Sequence, residues 1–461
     1  MTHFPFAPLT YMQRRDAFIQ LVGSGTYLFL GNHEVAFNYE DNTYPFRQDS
    51  TFLYFFGVNL PNVFAVIDAD KNECILFADD IDINMLIWTG PQPLVSELAE
   101  MAGIVKVLPT AKLPTYISNR TAYLPPYRNK HLLLLSEWLG LPVAAIKSGP
   151  SDKMIEAVIQ LRSVKSDDEL ALMNEAVDIS EDLHYAVMRS LKPGKYEYEM
   201  VAVAESAVRN FNARFAYPAI ATINGQVLHN HEYHHQMRDG QLFLLDAGAE
   251  HVSCYAGDLT RTFPVSGKFS NQQKEIYDIV LDAQNAVVDG LKEGVYYRDM
   301  HLLSATVIFE GLKSLGLTKG NTDEAVMAGA HALFFPHGLG HMIGMDVHDM
   351  ENLGENKVGY GDGVTRPTEF GFRSLRLGKQ LKKGYVLTVE PGIYFIPALI
   401  DLWKSEGKHP DFINYDALEA YRSFGGIRIE DNYVIEKEGS SRIGYNKLVN
   451  SADDVESAMA G

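Results

Sequence analysis

The sequence contains little cysteine, with only Cys74 and Cys254 in 461 residues. One pair of thiols cannot supply a disulfide framework for so long a chain, so we expect a reducing compartment and a cytoplasmic protein. Long apolar runs are also missing. The run Leu132–Leu135, for example, ends at once in Ser136 and Glu137, whereas a membrane-spanning helix needs about 20 apolar residues. We therefore predict no membrane partner.

Positive charge is scarce as well. The 40 Lys and Arg residues are outnumbered by 59 Asp and Glu residues, which gives a formal net charge of −19. This sign opposes binding to a phosphate backbone, so we predict no nucleic-acid partner. The 46% of hydrophobic residues and 21% of charged residues are ordinary for a globular protein, and the length suffices for two or three domains.

The first 162 residues are predicted to form a smaller α/β domain. Short β-branched and aromatic segments alternate there with Gly, Pro, Asn and Asp, which is typical of strands and turns. The predicted strands are Thr51–Phe56, Val63–Ile67 and Glu73–Phe77. A capping-box pattern at Ser166–Glu169 predicts a helix start immediately after this domain.

Residues 163–461 are predicted to form a second domain of α+β class, because its helices and strand pairs alternate in blocks rather than as regular βαβ units. Helices are predicted after Ser166 and Ser270. The predicted strands are Leu242–Asp246, Leu259–Val265, Tyr385–Glu390 and Gly426–Ile435. Two polar insertions, residues 351–367 and 398–422, are predicted to be surface loops or flaps.

Four acidic residues lie where these apolar strands begin or end: Asp246, Asp258, Glu390 and Glu430. A buried carboxylate is costly unless it is paired, hydrogen-bonded or bound to a metal. Any one of them alone is most simply a turn residue at a strand end. Four together favour a centre of divalent cations, because two such ions would offset about four negative charges.

Three histidines follow within one short glycine-containing segment, His337, His341 and His348. The glycines at 338 and 340 argue against a regular helix, so this is not the helical zinc-protease arrangement. Imidazole serves as a metal ligand or proton shuttle near neutral pH, although single histidines are often structural. Four carboxylates with one imidazole suit manganese, cobalt or magnesium better than a thiolate zinc site, and a pair of such ions would activate water for hydrolysis.

Other polar residues could face the same centre. His229 precedes the first acidic strand within a histidine-rich segment that could equally be a surface loop. Arg376 and Arg428 could each bind a carboxylate through two hydrogen bonds, or could form structural ion pairs.

With these residues identified, the second domain resembles the pita-bread metallopeptidases, the family of aminopeptidase P, prolidase and methionine aminopeptidase. The matching segments are residues 228–229, 245–248, 255–263, 337–341, 347–349, 388–392 and 426–431. The segment Phe46–Ser50 is similar to the additional domain of the proline-specific branch. The resemblance implies a pita-bread (creatinase/aminopeptidase) catalytic domain preceded by a smaller α/β domain, and a homodimer.

The resemblance also implies roles for individual residues. It implies that two divalent metal ions are bound, typically Mn²⁺ with Co²⁺ or Zn²⁺ as alternatives, by Asp246, Asp258, His341, Glu390 and Glu430. Glu390 is further implied as the acid and base that handles the proton of a hydroxide between the metals. His337 and His348 are implied to act in catalysis on the tetrahedral intermediate. His229, Arg376 and Arg428 are implied to bind or support the substrate.

Hydrolysis of the bond between an N-terminal residue and a following proline is the activity that the resemblance implies. Residues 257–265 look like an Xaa-Pro aminopeptidase, whereas Arg376 matches the arginine with which prolidases hold a dipeptide. We therefore predict an Xaa-Pro aminopeptidase, with Xaa-Pro dipeptidase as the alternative. A metal-free creatinase-like enzyme or a binding module is opposed by the complete ligand set, and a non-peptide ester hydrolase can be distinguished only by assay.

Overall fold

The computed structural model describes residues 4–361 and 363–460. The chain divides into two compact units, Met1–Ser163 with Met350–Lys357, and Val164–Asp349 with Val358–Gly461. The segment Met350–Lys357 lies inside the second predicted domain but belongs to the first unit, a grouping that the sequence did not indicate. In the described ranges, no helix has both the length and the apolar character that crossing a membrane requires.

Among the described residues, the first unit contains a sheet of five strands. Its strand order is Lys106–Leu108, Glu73–Phe77, Phe64–Asp68, Thr26–Leu30 and Ala122–Tyr123. The three central strands pair antiparallel and the two outer strands pair parallel to their neighbours. A separate hairpin joins Ala36–Tyr39 to Asn42–Thr43. The helices are Pro8–Val22, Ser50–Phe56, Ile83–Thr89, Val95–Met101, Asn129–Leu139, Val143–Ser148 and Asp152–Ser163, with a 3-10 helix at Thr110–Thr115.

The predicted strand Thr51–Phe56 is wrong, because this segment is the helix Ser50–Phe56. The side chain of Asp49 accepts a hydrogen bond from the Phe52 amide at 2.8 Å and caps the first turn. Gly57, with φ of 66°, ends the helix in the left-handed conformation. Capping at both ends therefore outweighs the strand propensity of the aromatic and β-branched residues between them.

The second unit is built from short antiparallel sheets covered by long helices. One sheet has the order Thr260–Pro264, Leu242–Asp246, Ile220–Thr222, and another has the order Val386–Val389, Asp431–Glu436, Gly439–Arg442. Two smaller pairs are Arg214–Phe215 with Ala249–Glu250, and Gly392–Tyr394 with Gly426–Arg428. The helices are Asp167–Ser190, Glu197–Arg209, Asn271–Gly290, Tyr297–Ser314, Thr322–Met327, Pro397–Ser405 and Ala452–Ala460, with 3-10 helices at Ala330–Leu333 and Ala417–Tyr421. The 3-10 helix Glu351–Leu353 belongs to the first unit, and the helix Glu355–Gly359 begins in that unit.

Two helix pairs in this unit share the same local design. The predicted helix starts after Ser166 and Ser270 are confirmed, and both are capping boxes. Ser166 accepts from the Glu169 amide at 3.3 Å, and Ser270 accepts from the Gln273 amide at 3.2 Å. The two capped helices end in similar turns, in which Gly194 and Gly294 both have φ of 90°. This conformation lies in the left-handed region that favours glycine. The next helix in the chain then packs against each capped helix: Glu197–Arg209 against Asp167–Ser190, and Tyr297–Ser314 against Asn271–Gly290.

The predicted strand Gly426–Ile435 is interrupted at Glu430, one of the candidate site residues. It is two strands, because Glu430 leaves the ladder and its amide donates to the Thr260 carbonyl at 3.0 Å. The strand Gly426–Arg428 pairs with Gly392–Tyr394, whereas Asp431–Glu436 pairs with Val386–Val389. The strands Val386–Val389 and Gly392–Tyr394 lie on either side of Glu390. The break at Glu390 therefore lies opposite the break at Glu430, which brings the two residues close together.

The insertion 351–367 is not a loop throughout, since it contains the 3-10 helix Glu351–Leu353 and the helix Glu355–Gly359. That part of the prediction is wrong, and it is wrong in the same way for the insertion 398–422. The insertion 398–422 contains most of the helix Pro397–Ser405, which begins with proline at its first position, where proline is favoured. Ile400 and Trp403 are buried one helical turn apart. The helix has only 9 residues, and the polar segment 404–411, which begins in its last turn, hid its short apolar pattern in the sequence.

Candidate active site

The strand ends of the second unit open into one cavity of about 410 Å³. Nine of the residues predicted for the site line this cavity: Asp246, Asp258, Glu390, Glu430, His229, His337, His348, Arg376 and Arg428. The tenth, His341, is buried directly beside Asp258. The fold therefore brings together the whole set that the sequence suggested, from segments far apart in the chain.

The strongest candidate for a metal centre is the group Asp258, His341 and Glu430. All three residues are buried, and one potential ligand atom from each lies within 4.8 Å of the others. His341 Nε2 is 3.3 Å from Asp258 Oδ2 and 3.7 Å from Glu390 Oε1. Carboxylate oxygens with one imidazole are the donors that hard or borderline divalent ions prefer.

The orientation of His341 also fits metal binding. Its Nδ1 lies 3.0 Å from the carbonyl oxygen of Met342, and a carbonyl can only accept, so Nδ1 carries a proton. In the neutral ring, Nε2 is then an unprotonated acceptor that faces the Asp258 carboxylate. Two acceptors at this distance require a proton or a cation between them. Against the effect of burial, the hydrogen bond with Asp258 and the charge of Glu390 raise the pKa of His341 to about 9, so Nε2 carries this proton when no metal ion is bound.

The electrostatics of the carboxylates lead to the same conclusion. Burial raises the pKa of Glu390 to about 7, against the opposing charges of His341 and Arg428. Burial, together with the charge of Asp258, raises the pKa of Glu430 well above its usual range. Burial likewise raises the pKa of Asp246, although Arg428 opposes it. The cluster therefore needs compensating positive charge, and the residues present fit divalent cations.

Asp246 is held by two neighbours. Arg428 Nη2 donates to Asp246 Oδ2 at 2.5 Å, and the hydroxyl of Tyr217 donates to Asp246 Oδ1 at 2.6 Å. The same hydroxyl also makes a short hydrogen bond with Asp258 Oδ1. Tyr217 thus links the two aspartates, and burial with the charges of both carboxylates raises its pKa well above the usual value.

The remaining ligand candidates are fixed by adjacent strand residues. Thr260 Oγ1 donates to Glu430 Oε2 at 2.6 Å, and Thr388 Oγ1 donates to Glu390 Oε1 at 3.3 Å. The side chain of Asn432 bonds both backbone groups of Asp258, at 3.0 Å to its amide and 2.7 Å to its carbonyl. Thr260, Thr388 and Asn432 all lie on strands, so the sheets hold the ligand candidates in place, which favours a defined ligand geometry.

His337 is neutral and its tautomer is set by its neighbours. Burial, with a contribution from Arg428, lowers its pKa to about 3. Its Nδ1 donates to the Gly338 carbonyl at 2.8 Å, so its Nε2 accepts from the Tyr394 hydroxyl at 2.8 Å. That hydroxyl in turn accepts from Arg428 Nη1 at 2.9 Å. Arg428 thereby connects the wall of the cavity to Asp246.

The other predicted substrate residues surround the cavity. The ring of His348 lies 4.2 Å from that of His341, centroid to centroid. His229 and Arg376 line the cavity without belonging to the carboxylate cluster. Burial lowers the pKa of His229, and Arg428 adds to this effect. The structure gathers these residues, while their individual roles stay predictions.

Tyr217 and Tyr394 are site residues that the sequence analysis missed. Tyr394 lies on the strand Gly392–Tyr394, and its place beside the site follows from the pairing of that strand with Gly426–Arg428, which carries Arg428. Tyr217 lies between the short strands Arg214–Phe215 and Ile220–Thr222, and nothing in that sequence indicates which carboxylates its hydroxyl meets. Its role depends on the approach of distant strands.

A prediction follows from the tight turn after Asp246. A Cβ atom at Gly248 would lie 1.8 Å from the backbone carbonyl oxygen of Gly257. Gly248→Ala must therefore push apart the segment that follows Asp246 and the segment that precedes Asp258. We expect metal affinity to fall about 10-fold or more, because Asp246 and Asp258 would separate. Calorimetric metal titration measures this. Gly290→Ala is the control, since the nearest atoms to its Cβ would be side-chain atoms, of the flexible Met300 at 3.0 Å and of Leu303 at 3.8 Å. Equal metal affinity in the two variants would contradict the prediction.

Comparison with known proteins identifies the family. Residues 171–437 match metallopeptidase family M24, and residues 11–124 match the aminopeptidase P N-terminal domain. A probable Xaa-Pro aminopeptidase, pepP, of Botryotinia fuckeliana is 36% identical over 423 residues, which cover 90% of this chain and 87% of that protein. The human Xaa-Pro dipeptidase is 32% identical over 437 residues, 90% of this chain and 85% of that protein.

A solved structure agrees with these relatives. Zn-substituted Escherichia coli aminopeptidase P in complex with product superimposes with a TM-score of 0.80 at 28% identity, over 99% of this chain and 98% of that one. The predicted fold class, a pita-bread domain preceded by a smaller α/β domain, is thereby confirmed. The chain belongs to metallopeptidase family M24, in the proline-specific branch that carries the aminopeptidase P N-terminal domain, and is a metallo-exopeptidase.

Proposed function

We propose that this protein is an Xaa-Pro aminopeptidase that hydrolyses the bond between an N-terminal residue and a following proline. One observation carries the proposal: a single cavity holds the buried carboxylate cluster next to the histidines and arginines suited to a peptide. Relatives named as probable Xaa-Pro aminopeptidases, which align over most of the chain, support the proline specificity.

The proposed cofactor is a pair of divalent metal ions, Mn²⁺ by resemblance, with Co²⁺ or Zn²⁺ as alternatives. Asp246, Asp258, His341, Glu390 and Glu430 would hold them. When bound, such ions lower the pKa of water and polarise the carbonyl that is attacked. The donor set and the raised pKa values of the buried carboxylates support this assignment.

Individual residues of the chain would have different roles in catalysis and in substrate binding. Glu390, whose pKa burial raises to about 7, can take up the proton released by the attacking water and deliver it to the proline nitrogen as the bond breaks. His337 is neutral and held by Tyr394, so it can contact the substrate without adding charge. Arg428 keeps Asp246 and Tyr394 in place. His229 and His348 would complete the substrate contacts.

A dipeptidase is the second candidate, and Arg376 is the observation that favours it. A guanidinium in the cavity wall can bind the free carboxylate of an Xaa-Pro dipeptide through two hydrogen bonds. The human Xaa-Pro dipeptidase is also among the relatives. Release of the N-terminal residue from an Xaa-Pro dipeptide, tripeptide and longer peptide distinguishes the two. Cleavage of the longer peptides supports the aminopeptidase, and cleavage of the dipeptide alone supports the dipeptidase.

Arg376→Leu gives a matching prediction. If Arg376 binds the dipeptide carboxylate, its loss removes a charged hydrogen bond worth about 1.5–3 kcal/mol, so kcat/KM for the dipeptide falls roughly 10- to 100-fold. Activity on the longer peptide should change much less. Arg373→Leu, an exposed arginine of the same segment, is the control. An equal loss on both substrates would contradict a carboxylate-binding role.

Assembly and location are further parts of the proposal. The homodimer comes from the family resemblance, and the cytoplasmic location comes from the low cysteine content of the sequence. Light scattering coupled to size-exclusion chromatography tests the first, and a monomer at micromolar concentration would contradict it.

A further inference from the structure

Glu197 carries a buried carboxylate outside the cluster described above. It is the first residue of the helix Glu197–Arg209 and has no exposed surface. Burial of a carboxylate costs several kcal/mol unless hydrogen bonds compensate it. The groups that supply these hydrogen bonds therefore indicate what this residue does.

Both oxygens of Glu197 bind the ends of one chain segment. Oε1 accepts from Thr222 Oγ1 at 3.0 Å and from the Ile223 amide at 2.9 Å. Oε2 accepts from the His235 amide at 3.1 Å and from His235 Nδ1 at 2.9 Å. One carboxylate thus closes the loop Ile223–His235, which we call the clasped loop, at its beginning and at its end.

The clasped loop forms part of the wall of the catalytic cavity. Leu228, His229 and His231, all on this loop, line that cavity. The hydrogen bonds of Glu197 extend to this part of the loop through Thr222, because Thr222 Oγ1 also accepts from Asn230 Nδ2 at 2.8 Å. Asn230 lies between the two histidines. The position of this wall therefore depends on Glu197 through Thr222 and Asn230.

The backbone around Glu197 strengthens the same attachment. The Glu197 amide donates to the His235 carbonyl at 3.1 Å, and the Tyr198 amide donates to the Tyr233 carbonyl at 2.9 Å. These bonds hold the end of the clasped loop on the N-terminus of the helix. They do not reach the beginning of the loop at Ile223, which is bound by the side chain of Glu197.

We propose that Glu197 is a positioning residue for substrate binding, an inference that rests on the proposed peptidase function. By closing the clasped loop it holds His229 and His231 in the arrangement that receives the peptide. Without it the loop gains conformational freedom and the competent arrangement is populated less. The apparent affinity for substrate then falls by the same factor, whereas the chemistry at the carboxylate cluster is unaffected.

Glu197→Gln is the variant that tests this role. The amide keeps the size of the side chain but puts an NH₂ group against backbone donors, so the clasp opens. We expect KM for alanyl-prolyl-alanine to rise about 10-fold with kcat changed less than about 3-fold. Bound Mn²⁺ should be unchanged, and amide hydrogen exchange in the clasped loop should accelerate. Glu199→Gln is the matched control, since Glu199, in the same first turn of the helix, bonds Lys195 and the Tyr196 amide and not the clasped loop, as far as the described residues show.

Several results would overturn the proposal. Unchanged amide hydrogen exchange in the clasped loop of Glu197→Gln would show that Glu197 does not hold the loop. Faster exchange with an unchanged KM would show that Glu197 holds the loop but does not position it for substrate. If Glu197→Gln does not fold, Thr222→Val is the second variant. It removes one of the four hydrogen bonds to Glu197, together with the bonds that Thr222 Oγ1 accepts from the Asn224 amide and from Asn230 Nδ2. It should move exchange and KM in the same direction, and no movement would count against the proposal. Hydrogen exchange is read without substrate, so failure of the wild-type protein to cleave the peptide would instead refute the proposed function.

Discussion

Asp258→Ala is expected to abolish metal binding and peptide hydrolysis together. Asp258 is the only one of the acidic residues that contacts both His341 and Tyr217 among the described residues, and it belongs to the group best placed to hold a divalent ion. Loss of a residue that merely orients a ligand costs 10- to 100-fold in metal affinity or activity, so loss of a ligand should cost more than about 100-fold in both. Metal analysis after dialysis and a peptidase assay give the two readings.

Thermal unfolding distinguishes loss of the ligand from loss of the fold. A metal that binds only the folded state stabilises it by about 2.7 kcal/mol when its concentration is 100 times its Kd. Mn²⁺ should therefore raise the Tm of the wild-type protein and of Asp282→Ala, in which an exposed helical aspartate is removed. It should not raise the Tm of Asp258→Ala. Bound metal and full activity in Asp258→Ala would show that the ligand assignment is wrong.

Glu390→Gln is expected to separate catalysis from binding. Glutamine keeps the shape of the side chain and an oxygen donor but cannot exchange a proton near neutral pH. Removal of a positioned general acid and base costs about 10²- to 10⁴-fold in rate, so we expect kcat to fall by that factor with KM nearly unchanged. Stopped assays at saturating peptide measure it.

The comparison between the two variants makes the test specific. Glu390→Gln should retain most of the metal that Asp258→Ala loses, because the group of Asp258, His341 and Glu430 remains intact. Glu406→Gln, an exposed residue, is the control for the amide substitution itself. A kcat within a few-fold of the wild-type value would remove Glu390 from the proton-transfer step.

Much of the site could be predicted because its signals are local. A carboxylate that directly follows an apolar strand, as at Asp246 and Glu390, is unusual enough to indicate a function. The long helices were equally accessible, since Ser166 and Ser270 each begin a capping box and an apolar stripe follows. These features depend on neighbours within a few residues.

What escaped prediction depends on partners that are distant in the sequence. Tyr217 acquires its role only when Asp246 and Asp258 meet, and Glu197 only when both ends of the clasped loop reach it. The helix Ser50–Phe56 was missed for a different reason. Its residues favour a strand, and the cap of Asp49 decides the outcome.

The most direct test of this account is the cleavage of alanyl-prolyl-alanine and trialanine by chelator-treated protein before and after addition of Mn²⁺. We expect no cleavage without metal and, after its addition, release of alanine from the proline peptide but not from trialanine, with Asp258→Ala inactive throughout. Metal-independent hydrolysis would contradict the proposed metal centre. Equal hydrolysis of both peptides would contradict the proposed specificity for the bond before proline.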